Sequence, residues 1–312
     1  MMKFATITLN PAIDKTIITT ETLKLNTIHQ CSTTIEQPGG KGINVAKILK
    51  LWNINANATG LIGNSQDNIF QKLFKTSNIT NNFINIPLPT RINTTITDGK
   101  GQELKINDKG WENIHASPAN IINSICSKID NQSVVAICGS LPPALPKNIL
   151  TQLINQLHTK HCIIALDSSK DALLAGCKAN PTIIKPNQYE LEDIIGFAIN
   201  NQTEIINTIK HLRKKHEIII ATFGNDKAYF ADAKHIFIAH PPKVKVCDTT
   251  GAGDALLGTF LAHYFPNQTL NQHTIAMSVA TASASVECLS TATPNKTRIQ
   301  ALSKLVEIKK LT

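Results

Sequence analysis

The run Cys247-Asp248-Thr249-Thr250-Gly251-Ala252-Gly253-Asp254 joins a glycine-rich turn to a carboxylate at the point where a helix should open. Leu256, Leu257, Phe260, Leu261 and Tyr264 recur behind it at helical spacing. A helix N-terminus presents unpaired N–H groups and the positive end of the helix dipole, so Gly251, Ala252 and Gly253 can cradle an anion. Asp254, set beside that cradle, can accept a proton from an attacking hydroxyl while the amides stabilise charge on the group being transferred. The plainer alternative for Asp254 is an acidic cap on the helix.

A second cluster, Gln37-Pro38-Gly39-Gly40-Lys41-Gly42-Ile43-Asn44-Val45-Ala46-Lys47, opens another helix with Ile43, Ala46 and Leu49 on one face. It offers close backbone approach together with a cation and an amide. Glycines before a helix are as often a simple turn, so the cluster alone is a weak signal. Spacing excludes two common nucleotide motifs. GxxxxGKS/T is absent, and Leu256 stands where a dinucleotide fingerprint starting at Gly251 needs its third glycine.

Residues with this chemistry need a scaffold, and from the middle of the chain onward β-branched runs at 134–138, 162–166, 182–184 and 218–221 alternate with helix-length stretches. That rhythm predicts an α/β fold with a mainly parallel sheet. Near-continuous apolar strands predict helices on both faces. Ligands gather beyond the carboxyl ends of such strands, which are followed here by Gly139-Ser140, Asp167-Ser168-Ser169, Lys185-Pro186-Asn187 and Thr222-Phe223-Gly224. Two segments rich in Thr, Ile and Asn, 13–36 and 90–106, break the rhythm. With a turn at Thr97-Asp98-Gly99 they predict antiparallel strands in a small sheet, placed to act as a lid.

A chain of 312 residues, 42% of them hydrophobic, suffices for a substantial core. No apolar run approaches the roughly 20 residues that span a bilayer, and the apolar run 4–9 is cut by Asn10-Pro11, so a cytoplasmic protein without membrane contact is expected. The seven cysteines show no CxxC spacing and predict reduced thiols. A net charge of +9 would admit nucleic acid, but aromatic residues are only 5% and are not interleaved with the basic ones, so no stacking platform is predicted. Arg213-Lys214-Lys215-His216 is expected to be a solvated helix end. His158 and His161 are expected to share a helix without forming a metal cage.

Taken in order along nearly the whole chain, six motifs together resemble the PfkB (ribokinase-like) carbohydrate kinases. They are Asn10-Pro11-Ala12-Ile13-Asp14, Gly39-Gly40-Lys41-Gly42-Ile43-Asn44-Val45-Ala46, Thr90-Arg91-Ile92-Asn93, Gly139-Ser140-Leu141-Pro142, Lys185-Pro186-Asn187 with Glu190, and Asp248 to Asp254. The resemblance implies a three-layer α/β sandwich with a mainly parallel central sheet, one kinase domain over 1–312, and a small β-sheet lid formed by about 11–37 and 89–108. It also implies ATP and Mg²⁺ as cofactors and a small sugar phosphate as acceptor. Within the family the motifs are most similar to kinases of fructose 1-phosphate, with kinases of tagatose 6-phosphate close to them.

Residue by residue, the resemblance makes Asp254 the base and Gly251, Ala252 and Gly253 its anion cradle. It puts Asp14 and Asn44 on sugar hydroxyls, Gly39 and Gly40 against the sugar, and Ser140 at the same end. Lys41 and Arg91 would grip the phosphate already on the substrate. Lys185, Asn187, Thr222, Gly224, Gly251 and Gly253 correspond to ATP contacts, and Glu190 to a Mg²⁺ position reached through water. A homodimer through the lid is implied as well. Ala144 and Lys227 stand where the family usually has glycine, which bears on loop shape and not on any catalytic group. A reading from another class is a silent sugar-phosphate sensor, which would lose the base or the cradle that this chain keeps.

Overall fold

Aliphatic runs with no polar face are stable only in a sheet covered on both sides, and the chain builds one. In a computed structural model that describes residues 2–64, 67–98, 102–288 and 291–311, the parallel strands are β1 (Phe4–Thr8), β4 (Ala56–Gly63), β5 (Thr80–Ile86), β8 (Val134–Cys138), β9 (Ile163–Asp167), β10 (Ile183–Ile184) and β11 (Ile218–Phe223). Three antiparallel strands, β12 (Lys227–Ala231), β13 (Ile236–His240) and β14 (Glu307–Lys310), finish one edge. The order across the sheet is β14-β13-β12-β11-β10-β9-β8-β1-β4-β5.

Side chains alternate along each strand, so β8 sends Val135 and Ile137 to one core and Val134, Ala136 and Cys138 to the other. The first core is closed by α3 (Pro118–Ser127), α4 (Ile149–Thr159), α5 (Lys170–Cys177), α6 (Gln188–Ile195) and α7 (Gln202–Leu212). The second is closed by α1 (Lys41–Leu51), α2 (Asp67–Ser77), α8 (Ala252–Tyr264) and α9 (Gln272–Ser285), with α10 (Lys296–Ser303) packed on α9. This is the three-layer α/β sandwich expected.

A second sheet of four strands holds β2 (Ala12–Thr19), β3 (Cys31–Gly39), β6 (Arg91–Thr97) and β7 (Glu103–Asn107) in the order β3-β2-β6-β7. The expectation of antiparallel strands is corrected in one place: β2 and β6 pair in parallel. Each follows a strand of the parallel main sheet, β1 and β5 respectively, and so leaves the main domain in the same direction; only β2–β3 and β6–β7 turn back antiparallel. Of the expected turn Thr97-Asp98-Gly99, Gly99 lies outside the described residues.

Two smaller expectations change. Helix α4 stops at Thr159, and His161 has a φ of 55°, so it does not share a helical face with His158. The solvated helix end applies to Lys214 and Lys215, whereas His216 is buried with its Nδ1 on the Pro181 carbonyl at 2.8 Å. The seven cysteines are free thiols. Among the described residues no helix is long and apolar enough to cross a membrane.

Helices α1 and α8 carry the two glycine-rich starts and lie against each other through Gly258, where a Cβ would sit 2.8 Å from Ile48 and 3.2 Å from the Val45 carbonyl oxygen. Overpacking such a contact costs about 1–3 kcal/mol. Gly258→Ala should therefore lower the unfolding free energy by that amount, seen as a lower urea midpoint with the m-value unchanged. An unchanged midpoint would mean that the two helices are not in close contact.

Candidate active site

Gly251 opens α8 in the left-handed region (φ 82°), a conformation that glycine adopts without strain. The turn before it is closed by the Thr250 N–H donating to Asp248 Oδ1 at 2.8 Å. Asp254 follows in the first helical turn, only 4% exposed. Asn44, from the first turn of α1, donates its Nδ2 to Asp254 Oδ2 at 2.8 Å. The other end of that amide, Asn44 Oδ1, is buried without a partner among the described residues. A buried unsatisfied acceptor costs about 1–3 kcal/mol, and a ligand hydroxyl donating there would remove that penalty.

Beside Asp254 lies a group of charges that only the fold brings together. Asp167, the last residue of β9, is fully buried. Its Oδ1 is 2.8 Å from Lys41 Nζ and its Oδ2 is 3.0 Å from Lys185 Nζ. The Lys185 ammonium in turn lies 3.1 Å from where a Gly253 side chain would begin, so the glycine makes room for the lysine at the helix mouth. Burial raises the Asp167 pKa, but Lys185 and Lys41 outweigh it and hold the carboxyl below its ordinary value. Burial likewise opposes the charge on Lys41, yet Asp167 and Asp254 keep it firmly protonated. Asp254 goes the other way: burial pushes it up to about 6, with Asp167 adding to the rise and Lys41, Asn44 and Lys185 resisting it. Two carboxylates in one site are thus driven apart, one a permanent anion and the other able to exchange a proton near neutral pH.

The small sheet contributes the other side of the cleft. Asp14 on β2 accepts from Asn93 Nδ2 on the paired strand β6 at 3.0 Å, and burial raises its pKa against the pull of Asn93 and Arg91. Gly39 lies directly under this carboxylate, where a Cβ would fall 2.1 Å from Asp14 Oδ2. Gly40 is the N-cap of α1 at φ 132°. The Arg91 guanidinium donates to the carbonyls of Asn10 (3.0 Å), Pro11 (3.3 Å) and Asp108 (2.5 Å). Ser140 Oγ accepts from Asn10 Nδ2 at 3.1 Å. Of the two cations expected on one phosphate, Lys41 is paired with Asp167, and Arg91 is held by backbone carbonyls with Asp14 acting on it electrostatically.

Lys185 leads through Pro186 to Asn187, which bridges Thr222 in parallel. These residues line the ends of β10 and β11 together with Gly224, at φ 59°. Asn187 and Glu190 form a reciprocal capping box on α6: Asn187 Oδ1 accepts from the Glu190 N–H, and Glu190 Oε2 accepts from the Asn187 N–H, both at 2.9 Å. This accounts for the Asn-x-x-Glu spacing locally. Among the described residues no three carboxylate, histidine or cysteine side chains gather as a metal cage. Neither Ala144 nor Lys227 has a positive φ, so neither position requires the family's glycine.

The sequence profile of the pfkB family carbohydrate kinases matches residues 7–298. The chain belongs to this family. Among its relatives, the 1-phosphofructokinase of Escherichia coli K12 is 30% identical over 307 residues, 98% of both chains. That of Bacillus subtilis is 28% identical over 258 residues, covering 82% of this chain and 84% of its own. Phosphofructokinase-2 from Escherichia coli, solved in complex with potassium, shares the ribokinase-like fold of this pfkB kinase at a TM-score of 0.90 and 23% identity, over 98% of this chain and 99% of that one.

Asp167, placed by the sequence only at a strand end, and Lys47, placed only within the second glycine cluster, also stand around this site. An ionisable residue closing an apolar strand is the one signal in the sequence for Asp167; for Lys47 it is the i, i+3 spacing from Asn44.

Raising the Asp254 pKa from 3.8 to about 6 on folding has a thermodynamic consequence. Ionising the group opposes folding; the penalty is absent below pH 3.8, grows between pH 3.8 and 6, and is complete above that. Asp254→Asn should therefore be more stable than the parent protein at pH 8, by about 1–3 kcal/mol. Urea unfolding of both proteins at about pH 8 and about pH 3 checks this, the difference vanishing at the lower pH. Equal stabilities at pH 8 would show that Asp254 ionises freely.

Proposed function

We propose that this chain transfers the γ-phosphoryl of ATP to the 6-hydroxyl of fructose 1-phosphate, giving fructose 1,6-bisphosphate. The observation that carries this reading is Asp254, a buried carboxylate at a helix mouth, bonded to an amide whose oxygen is free for a hydroxyl and flanked by the lysines of Asp167. With its pKa at about 6 the base is ionised at neutral pH and still basic enough to take the hydroxyl proton as the new P–O bond forms. Phosphoryl transfer passes through a loose transition state that asks for positioning and charge neutralisation. The amides of 251–254 supply part of that neutralisation.

Lys41 and Lys185 supply the rest. Their shared carboxylate favours a role for Lys41 at the transferring phosphoryl and leaves Arg91, beside Asp14, as the cation for the phosphate already on the sugar. Asp14 and Asn44 meet sugar hydroxyls, Gly39 and Gly40 flank the ring, and Ser140 closes that end. ATP runs along Lys185, Asn187, Thr222 and Gly224 to the cradle at Gly251 and Gly253. Mg²⁺ on the nucleotide phosphates would supply further charge neutralisation, and Glu190 would be the residue that reaches it through water.

The small sheet acts as the lid over this single kinase domain. Lys105 of β7 already reaches Asp248 of the cradle turn at 3.8 Å. By strand register, Ile92, Leu104 and Ile106 stand on the face opposite Asp14 and Asn93, and all three are exposed. An apolar stripe on the outer face of the lid suits a second copy of the chain, giving a homodimer. The free thiols suit a reducing cytoplasm.

Parallel kinetics of ADP release with fructose 1-phosphate and tagatose 6-phosphate test the substrate, with a higher kcat/KM expected on the former; a strong preference for tagatose 6-phosphate would overturn the choice of sugar. Asp254→Asn should lose about 10²–10⁴-fold in kcat while ATP affinity stays within a few-fold. Near-normal turnover in that variant would remove Asp254 as the base. In light scattering, Leu104→Glu should turn a dimer into a monomer, and a parent protein that is monomeric throughout would exclude the lid dimer.

A further inference from the structure

Lys47 is a half-buried lysine without a carboxylate partner among the described residues. It lies one turn beyond Asn44 on α1, and its ammonium donates to the backbone carbonyl and the hydroxyl (3.4 Å) of Thr291, with no carboxylate in ion-pair reach among the described residues. Burial lowers its pKa, while Asp254 and Asp14 act at longer range to keep it charged. A cation taken partly out of water and held only by neutral acceptors calls for a reason.

Its neighbours point to one. Thr291 is itself buried, and its Cγ2 lies 3.3 Å from where a side chain on Gly251 would begin. Lys47, Thr250, Gly251 and Thr291 all line a small gap of about 20 Å³, room for a single water. The ammonium therefore fastens the 291 segment against the residue that opens α8, and it does so from the helix that also delivers Asn44 to Asp254.

We propose that Lys47 is a positioning residue for phosphoryl transfer: through Thr291 it fixes the Gly251 turn. A neutral methylene chain would fill the space without holding Thr291. An arginine would keep the charge and could still donate to the carbonyl.

The proposal rests on the kinase reading, and its test separates the two. Lys47→Met and Lys47→Arg are compared with the parent protein on whichever phosphohexose the parent turns over best, so that an error about the sugar leaves the comparison intact. For Lys47→Met, kcat should fall about 10–100-fold with KM for the sugar phosphate within about threefold. The acid limb of its kcat profile should move to higher pH, because removing a cation near Asp254 raises the carboxyl pKa further. Lys47→Arg should restore most of kcat and return the limb. A ligand-free readout accompanies this: amide exchange at 250–255 should quicken in Lys47→Met and not in Lys47→Arg. Kinetics and pH limb unchanged in Lys47→Met, or a loss of melting temperature alone, would make Lys47 a packing residue and overturn the proposal. If Lys47→Met does not fold, the milder Lys47→Gln carries the same comparison.

Discussion

The site depends on a single buried carboxylate. Asp167 at the end of β9 holds Lys41 from α1 and Lys185 from the segment after β10, one on each oxygen. Two lysines from segments far apart in the chain are thereby fixed beside a third group, Asp254, which comes from yet another helix start. Removing one member of a buried charged cluster exposes the full desolvation penalty of the others, so such a cluster fixes geometry even where its net contribution to stability is small. The same electrostatics separate the roles of the two carboxylates. Asp167 is outweighed by lysines and stays an anion, whereas Asp254, more poorly compensated, titrates near 6.

The scaffold delivers this arrangement by ordinary means. Parallel strands end at the same edge of the sheet, so the residues after β8, β9, β10 and β11 meet there. Helices α1 and α8 bring their N-termini to the same edge and are held in register by the Gly258 contact. The small sheet then adds a second wall through Asp14 and Asn93, and its parallel β2–β6 pairing keeps both strands rising from the main sheet beside the cleft.

Much of this was legible in the residues. The strands near 134–138 and 218–221, the helix start at 251 and the polar residues at strand ends follow from apolar runs and glycine placement, which are local properties. What could not be read was charge partnership. Lys41 and Asp167 are 126 residues apart and Asn44 and Asp254 are 210 apart, and no local pattern reports such pairs. The assignment of Lys41 to the same phosphate as Arg91 came from motif resemblance, and no local pattern announced that Lys41 would pair with Asp167 while Arg91 donates to backbone carbonyls. The histidines show the same limit. His161 stands outside its expected helix because α4 ends at Thr159, and His216 is buried through a bond to a carbonyl 35 residues away.

The most direct measurement is a crystal structure of the protein with ADP, aluminium fluoride and fructose 1-phosphate. The charge arrangement predicts the sugar 6-oxygen within hydrogen-bond distance of the Asp254 carboxylate, with Lys41 and Lys185 both on the fluoroaluminate and Asp167 behind them. A sugar hydroxyl remote from Asp254, or Lys41 swung away to the phosphate on the sugar, would contradict it.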